Sequence, residues 1–259
     1  MTPLVDSHVH LDDNRFDADR EAVIERAKRS GVRTMVVPAV DASGWAALAQ
    51  LAETHTGICP AYGMHPMFLA CHRPEDVDRL DAWLDAHPAV AVGETGLDHF
   101  VASLDHERQL ALFERHLAIA VNHRLPVIVH ARRAVDAVIG AIRRHPGVRG
   151  VVHSFSGSLE QAIQLDRLGF FVGIGGPLTH ARAQRLHRIF AQLPIEQIVL
   201  ESDAPDQPGA MHRGQRNEPA WIADTANALA ALRGMGVDEV ARSTTANAGR
   251  LFGFGLPDT

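Results

Sequence analysis

Short apolar segments rich in valine and isoleucine alternate along the chain with longer amphipathic segments. The apolar segments have the length of buried strands and occupy residues 4–11, 33–40, 58–63, 89–93, 126–130, 150–153, 170–174 and 197–201. The amphipathic segments have the length of helices and occupy residues 17–30, 42–54, 75–87, 105–124, 133–145, 159–168, 181–193, 218–232 and 237–252. This pattern predicts eight strands, each followed by a helix, and one further helix at the end.

The alternation of strands and helices favours a parallel sheet, because right-handed crossovers place successive strands side by side. Eight such units in 259 residues predict an α/β fold, a single TIM-like (β/α)8 barrel with an extra C-terminal helix. A doubly wound open sheet is the alternative, but no glycine-rich phosphate loop follows the first predicted strand. Asn217, ahead of Pro219, is expected to cap the helix 218–232. No linker interrupts the series, so residues 1–259 are expected to form one domain.

Composition and charge exclude several classes of protein. A hydrophobic content of 46% with 22% charged residues supports a sizeable core and excludes a disordered chain. The formal net charge of −6 argues against attachment to nucleic acid or to a membrane through the overall field. No apolar run approaches the roughly 20 residues that cross a bilayer, and candidate chemistry that begins at Asp6 leaves no room for a cleavable leader. Cys59 and Cys71 have no metal-ligand spacing and suit a reducing compartment, so we expect a cytoplasmic protein with no membrane contact and no obligate protein partner.

Ionisable side chains recur where the predicted strands end, which is where barrel enzymes place their functional residues. These side chains are His8, His10, His65, Glu94, His130, His153 and Asp203. The spacing of two puts His8 and His10 on one face of an extended segment, whereas a helix would rotate them about 200° apart. All but His65 supply the imidazole or carboxylate groups that bind divalent metals.

Each of these residues also has an ordinary structural interpretation. A single histidine at a strand end is more often a hydrogen-bonded structural residue than a ligand. For His65 before Pro66, a turn explains the residue nearly as well, and Asp203 before Ala204 and Pro205 is also consistent with an ordinary turn or a helix start. Four histidines and two carboxylates at one end of a barrel, however, have no common packing explanation, so the set as a whole favours a metal site.

Glu94 carries the strongest individual signal. It follows the apolar run 89–93, where a buried carboxylate costs free energy unless a cation meets it. Many binuclear barrel hydrolases bridge their metals with a carboxylated lysine, but Lys28 is the only lysine and lies in the first predicted helix. Glu94 is therefore the expected bridge.

Six motifs occur in order and cover nearly the whole chain. They are the segments 6–10 (DSHVH), 93–98 (GETGLD), 126–132 (PVIVHAR), 152–157 (VHSFSG), 201–205 (ESDAP) and 213–219 (RGQRNEP). Together they resemble the TatD-type metal-dependent hydrolases, and the Arg132–Arg133 pair and the segment 203–206 are most similar to the YjjV-like subgroup. The resemblance implies a TIM-like barrel, two divalent metal ions and phosphodiester hydrolysis, often as a deoxyribonuclease that acts from the 3′ end.

The resemblance also implies roles for individual residues. His8, His10 and Asp203 would hold one metal, His130 and His153 the second, and Glu94 would bridge them. The metal ions could be zinc, manganese, magnesium, iron or nickel. Such a pair activates a shared hydroxide for in-line displacement.

Further expected roles concern proton transfer, contact with the substrate and support of a metal ligand. Besides the bridging Glu94, Asp203 is expected to orient or deprotonate the hydroxide, and His65 is a further catalytic candidate. Contacts with substrate are expected from His65, Arg132, Arg213 and Arg216. Asp98 is expected to hold a metal ligand in place.

The chain departs from the family pattern after Asp98, where the segment 99–102 (HFVA) replaces the tyrosine and arginine of many family nucleases. With one tyrosine in the chain, no aromatic platform for stacking bases is visible. The expected substrate is a DNA end or a short oligonucleotide. One alternative is a metal-dependent hydrolase of carboxylic esters or amides, including an aminoacyl-tRNA deacylase; another is a non-enzymatic barrel that binds metal.

Overall fold

The computed structural model describes residues 2–253 and Gly255. Its eight parallel strands form one sheet in sequence order. They are β1 (Leu4–Asp6), β2 (Val32–Pro38), β3 (Ile58–Tyr62), β4 (Ala91–Asp98), β5 (Val127–Arg132), β6 (Gly150–Val152), β7 (Phe170–Ile174) and β8 (Ile198–Leu200). The Ser7 N–H donates to the carbonyl oxygen of Leu200 at 2.9 Å, which joins the first strand to the last. The predicted TIM-like barrel is confirmed.

Helices lie between successive strands and beyond the last one. They are α1 (Arg20–Arg29), α2 (Trp45–Thr54), α3 (Asp76–Ala86), α4 (His106–His123), α5 (Val135–Arg144), α6 (Leu159–Arg167), α7 (Gln184–Gln192), α8 (Ile222–Arg233) and α9 (Val237–Phe252). Local sequence sets several of their ends: Asp105 caps α4, and Ser158 forms a capping box with Gln161 at the start of α6. The predicted additional C-terminal helix is α9. No helix in the described part of the chain is long and apolar enough to cross a bilayer.

Two strands that carry candidate site residues, β1 and β4, differ in extent from their predicted ranges. β1 ends at Asp6, well before residue 11, because the backbone beyond it turns to pair with the chain that follows β8. β4 continues to Asp98, although its apolar run stops at residue 93, because backbone pairing with β5 extends to Asp98. Glu94 therefore lies within a strand and not after it.

Asn217 does not cap a helix, so that prediction was wrong. A short 3-10 helix, Pro219–Trp221, comes between Asn217 and α8. The Asn217 amide instead donates to the carbonyl oxygens of Ser202 and Asp206, each at 2.7 Å. Its side chain thus holds the loop after β8, next to the candidate site.

Side chains that point into the barrel form an apolar layer near the amino ends of the strands. The layer consists of Val5, Val36, Ala61, Ala91, Ile128, Val151 and Val199, packed with Ala248, Leu251 and Phe252 of α9. The Asn247 amide donates to the carbonyl oxygens of Ile195 and Ile198, each at 2.7 Å, which holds α9 against β8. The larger core lies between the outer faces of the strands and the surrounding helices.

The same pleat positions the candidate chemistry. Because alternate residues of a strand share a face, the residues two positions beyond Ile128 and Val151 also point into the barrel. These residues are His130 and His153. In β5 and just beyond β6, the ionisable cluster is therefore the next layer of the barrel interior, directly above the apolar one.

Candidate metal centre

The buried carboxylate of Glu94 lies at the centre of the cluster, and its Oε2 faces the loop after β1. The Nε2 atoms of His8 and His10 lie 3.1 and 3.4 Å from Oε2. Asp203 completes this side, with Oδ1 3.6 Å from His8 Nε2 and 3.8 Å from His10 Nε2. The two loops are held together by backbone bonds from the Asp203 N–H to the His8 carbonyl and from the His10 N–H to the Ala204 carbonyl.

The other oxygen of Glu94 faces a second set of imidazoles. Oε1 lies 2.9 Å from His65 Nε2, 3.2 Å from His130 Nδ1 and 2.8 Å from His153 Nε2. These three histidines come from β5 and from the segments after β3 and β6. Glu94 therefore separates the cluster into two sides, with one carboxylate oxygen serving each.

The ligand atoms fall into three overlapping groups, and within each group all atoms lie within 4.8 Å of one another. The groups are His8 with Glu94 and His153, His8 with His10 and Asp203, and His65 with Glu94 and His130. The structure thus brings together all six residues predicted to bind metal. His65, predicted as a catalytic and substrate-contacting residue, joins them.

The spacing and chemistry of these atoms fit divalent cations. Two nitrogen ligands about 2.0–2.1 Å from a tetrahedral ion lie about 3.4 Å apart. The ring nitrogens of His8 and His10 are 3.2 Å apart, and those of His130 and His153 are 3.3 Å apart. Apart from imidazole rings, no hydrogen-bond donor in the described residues reaches either buried oxygen of Glu94. Such a donor set is normally completed by a cation.

The pKa values of the cluster reflect its crowding. Burial alone would raise the pKa of Glu94, but the imidazoles of His65, His153 and His8 outweigh it and hold that pKa well below its usual range. Burial alone would lower the pKa of His10, yet the carboxylates of Glu94 and Asp203 raise it to about 9. The carboxylates thus create a negative potential that attracts positive charge into the site.

Asp98 contacts the cluster from one side. Its Oδ2 lies 3.0 Å from His130 Nε2, and its Oδ1 accepts hydrogen bonds from the N–H groups of Phe100 and Val101. Burial opposes ionisation of Asp98, but these hydrogen bonds lower its pKa to about 2. Asp98 is thus a carboxylate placed to fix the ring of His130.

Sequence reasoning missed Glu201. This buried residue accepts a hydrogen bond from the Ser154 N–H, and its Oε1 lies 3.9 Å from His153 Nδ1. Burial raises the pKa of Glu201 to about 8, opposed by His153 and aided by Asp203. A side chain at Gly173 would overlap the Glu201 carboxylate, so this glycine makes room for it. The available signal was the same as for Glu94, a carboxylate at the end of an apolar run of the sequence.

Backbone conformation is unusual in the loops after β6 and β8. Asp203, Gln207 and Ser154 adopt positive φ angles of 55°, 53° and 45°. The Gln207 amide donates to Asp203 Oδ2 and, at 2.8 Å, to Ser154 Oγ. Left-handed conformations cost free energy in residues other than glycine and concentrate at functional sites.

The predicted substrate contacts are placed less uniformly. The guanidinium of Arg132 stacks 3.7 Å from the centre of the exposed ring of Phe100, and Arg213 is exposed on the loop after β8. Arg216 is already paired with Asp19, at 2.7 and 2.8 Å, and with Glu218.

Exposed aromatic rings do occur at this end of the barrel. Phe68, on the segment after β3, is 42% exposed and lies edge-on to His65, and Phe100 is 45% exposed. Composition alone did not reveal them, because the exposure of a phenylalanine depends on its place in the fold.

An eight-stranded parallel barrel with histidines and carboxylates converging at the carboxyl ends of its strands has the architecture of a metal-dependent barrel hydrolase. Residues 5–253 match the family model of TatD related DNase, and the chain belongs to that family.

Two bacterial relatives and one crystal structure show the extent of the similarity. The chain is 39% identical to the uncharacterized metal-dependent hydrolase YjjV of Escherichia coli K12, over 96% of this chain and 97% of the relative. It is 34% identical to the uncharacterized metal-dependent hydrolase YabD of Bacillus subtilis 168, over 96% and 98%. A crystal structure of YjjV, described as a TatD homologue from E. coli K12, superposes with a TM-score of 0.94 at 38% identity, over 97% of this chain and 98% of that one.

Proposed function

We propose that the protein is a phosphodiesterase that uses two divalent cations to remove nucleotides from the 3′ end of single-stranded DNA or short oligonucleotides. The observation that carries the two-cation part is the division of the cluster by Glu94, whose two oxygens face separate sets of imidazoles. Membership of the TatD related DNase family supports a phosphodiester substrate.

The proposed ligands follow this division. They are His8, His10 and Asp203 on one side, His130 and His153 on the other, and Glu94 between them. Divalent cations bound there would acidify water and neutralise negative charge on phosphoryl oxygens. The cluster contains no lysine or arginine, so positive charge that does not depend on pH would come from the cations. The residues that hold the cations would therefore determine where the scissile phosphate binds.

Asp203 is the proposed proton acceptor. It lies at the edge of the cluster, in the loop after β8, where it adopts a positive φ. Its Oδ2 accepts a hydrogen bond from the Gln207 amide. Its Oδ1 remains directed at His8 and His10. A carboxylate held in this way orients an attacking water molecule and accepts its proton as the new bond to phosphorus forms.

His65 and Arg132 are the proposed contacts to the phosphate oxygens. His65 Nε2 lies within the cluster, and the guanidinium of Arg132 is held on Phe100 without an opposing carboxylate among the described residues. Arg213 is exposed and free to contribute as well. The predicted contact from Arg216 has less support, because two carboxylates already neutralise that guanidinium.

The first test compares substrates. Protein purified without an affinity tag is loaded with manganese, magnesium or zinc and given a 3′-end-labelled single strand, a closed circular duplex and simple carboxylic esters. We expect metal-dependent release of nucleotides from the free end, two metal ions per chain by elemental analysis, and no cutting of the circle. Asp203→Asn should lower the rate by roughly 10²-fold or more.

Other outcomes would replace the proposal. Cutting of the circle as readily as the free end would indicate an endonuclease. Hydrolysis of esters with none of DNA would favour the carboxylic ester or amide hydrolase. Metal binding without turnover of any substrate would favour a non-enzymatic barrel.

A further inference from the structure

A groove of about 620 Å³ opens beside the candidate metal centre, between the loops that follow β4, β5 and β6. Its lining includes His99, Arg133, Ala134, Ser156, Gly157 and Arg185. His99 directly follows Asp98, which contacts His130, and Arg133 lies three positions after His130. Residues of the groove therefore closely follow residues of the candidate metal centre along the chain, at the same end of the barrel.

The groove carries positive charge, although the chain as a whole is negative. In the described part of the chain, neither Arg133 nor Arg185 forms an ion pair or a side-chain hydrogen bond. Asp136 is the acidic residue of the lining, and its Oδ1 accepts a hydrogen bond from the Gln161 amide at 2.7 Å. Two free guanidinium groups thus oppose one carboxylate.

The backbone adds to this charge. Helix α5 begins in the wall of the groove at Ala134, and no side chain caps it. Its first N–H groups therefore remain available to an anion, at the positive end of the helix dipole. The neighbouring helix α6 is different, because Ser158 and Gln161 close its amino end.

Arg133, which lines the groove, is positioned by its backbone conformation and by contact with Phe100. Arg133 has a φ of 55°, which is unfavourable for residues other than glycine. Its guanidinium lies 4.7 Å from the centre of the Phe100 ring. Arg132 stacks on the same ring at 3.7 Å. One exposed phenylalanine thus orders two neighbouring cations by cation–π contact.

We propose that this groove binds the sugar-phosphate backbone of the substrate strand, at phosphates adjacent to the one hydrolysed in the metal centre. The proposal rests on the proposed function for the identity of the substrate. Arginine suits the task because its fork meets two phosphate oxygens. The groove is lined by two guanidinium groups, each of which can meet a different phosphate, so the enzyme is expected to bind a hexanucleotide much more tightly than a substrate with one phosphodiester.

The test separates binding from hydrolysis. Anisotropy of a 5′-fluorescein-labelled hexathymidylate is measured in EDTA with the wild type, with Arg133→Gln/Arg185→Gln, and with the matched control Arg167→Gln/Arg242→Gln. The control removes two exposed arginines outside the groove. We expect the groove variant to weaken binding about tenfold and to reduce the salt slope by about 1.4, which corresponds to two phosphates at about 0.7 each. The control should change binding less than twofold.

Kinetics complete the test. With metal present, the groove variant should raise KM for the hexanucleotide about tenfold, while its kcat and its rate on bis-p-nitrophenyl phosphate stay within twofold of the wild type. Equal losses in the groove and control variants would overturn the proposal. So would full displacement of the hexanucleotide by equimolar inorganic phosphate, which would indicate a site for a free small anion.

The two proposals can fail separately. Groove-dependent binding without hydrolysis under any metal would refute the phosphodiesterase and leave the groove standing. Hydrolysis from the 3′ end with an unchanged KM in Arg133→Gln/Arg185→Gln would refute the groove alone.

Discussion

The two ends of the barrel interior are built from the same strands but have opposite character. At the amino end, residues such as Val5, Ile128 and Val199 pack against Leu251 of α9 in an apolar cluster. At the carboxyl end, a single carboxylate, Glu94, is surrounded by imidazoles. The comparison teaches that the barrel separates stability from chemistry along its axis, over as few as two residues in β5 and just beyond β6.

The separation has an energetic reason. Burying an apolar side chain such as Leu251 contributes about 1.5–3 kcal/mol, whereas a buried polar atom without a partner costs about 1–3 kcal/mol. Glu94, His8, His10 and Glu201 all have buried side-chain atoms without a hydrogen-bond partner. The free energy gained by burying apolar side chains at the amino end therefore offsets the cost of burying these polar atoms at the carboxyl end.

Glu94→Gln should break the carboxyl end with the largest effect. Loss of the shared charge is expected to reduce bound metal from two ions to one or fewer and to lower turnover by roughly 10³-fold. Elemental analysis and steady-state kinetics measure the two quantities. Glu53→Gln, which removes an exposed glutamate of α2, is the control. Retention of both metals and of normal turnover would show that Glu94 does not bridge.

Leu251→Ala should break the amino end instead. Leu251 is 1% exposed, and its truncation leaves a cavity between α9 and the apolar layer. We expect the free energy of unfolding in urea to fall by about 2–5 kcal/mol, while kcat per folded molecule stays within twofold. The exposed Val237 of α9 gives the control, Val237→Ala, with a change of about 0.5 kcal/mol or less. A tenfold loss of kcat in folded Leu251→Ala would mean that the two ends are coupled.

Asp98→Asn tests a single contact at the carboxyl end, that of Asp98 with His130, and should have the smallest effect of the three variants. Asparagine keeps the oxygen that accepts from Phe100 and Val101 but removes the carboxylate from His130. Metal affinity should fall about 10–100-fold with little change in the urea midpoint, as measured by competition with a chelator. An unchanged affinity would assign Asp98 to the turn alone.

The order of elements was predictable because each strand is a compact valine- and isoleucine-rich run between amphipathic segments. The pairing of His8 with His10 was predictable from their spacing. The extent of β4 was not, because its backbone pairing with β5 continues past the apolar run to Asp98. Glu201 was missed although its position after β8 gave the same signal as that of Glu94.

Contacts between distant parts of the chain could not be predicted. The pairing of Arg216 with Asp19 depends on how α1 and the loop after β8 approach each other. The exposure of Phe68 and Phe100 likewise depends on loops whose conformation has no periodic signal. Sequence therefore located the residues of the candidate metal centre better than the surface proposed to contact the substrate.

The meeting of the loop after β1 with the loop after β8 has a consequence for biosynthesis. The His8 carbonyl accepts from the Asp203 N–H, and the His10 N–H donates to the Ala204 carbonyl. The segment with both histidines is therefore fixed by a segment that is synthesised almost two hundred residues later. A growing chain that lacks β8 has neither Asp203 nor the backbone that orders His8 and His10. The proposed metal centre would therefore form only after the barrel has closed, and a loaded centre would distinguish finished molecules from prematurely terminated ones.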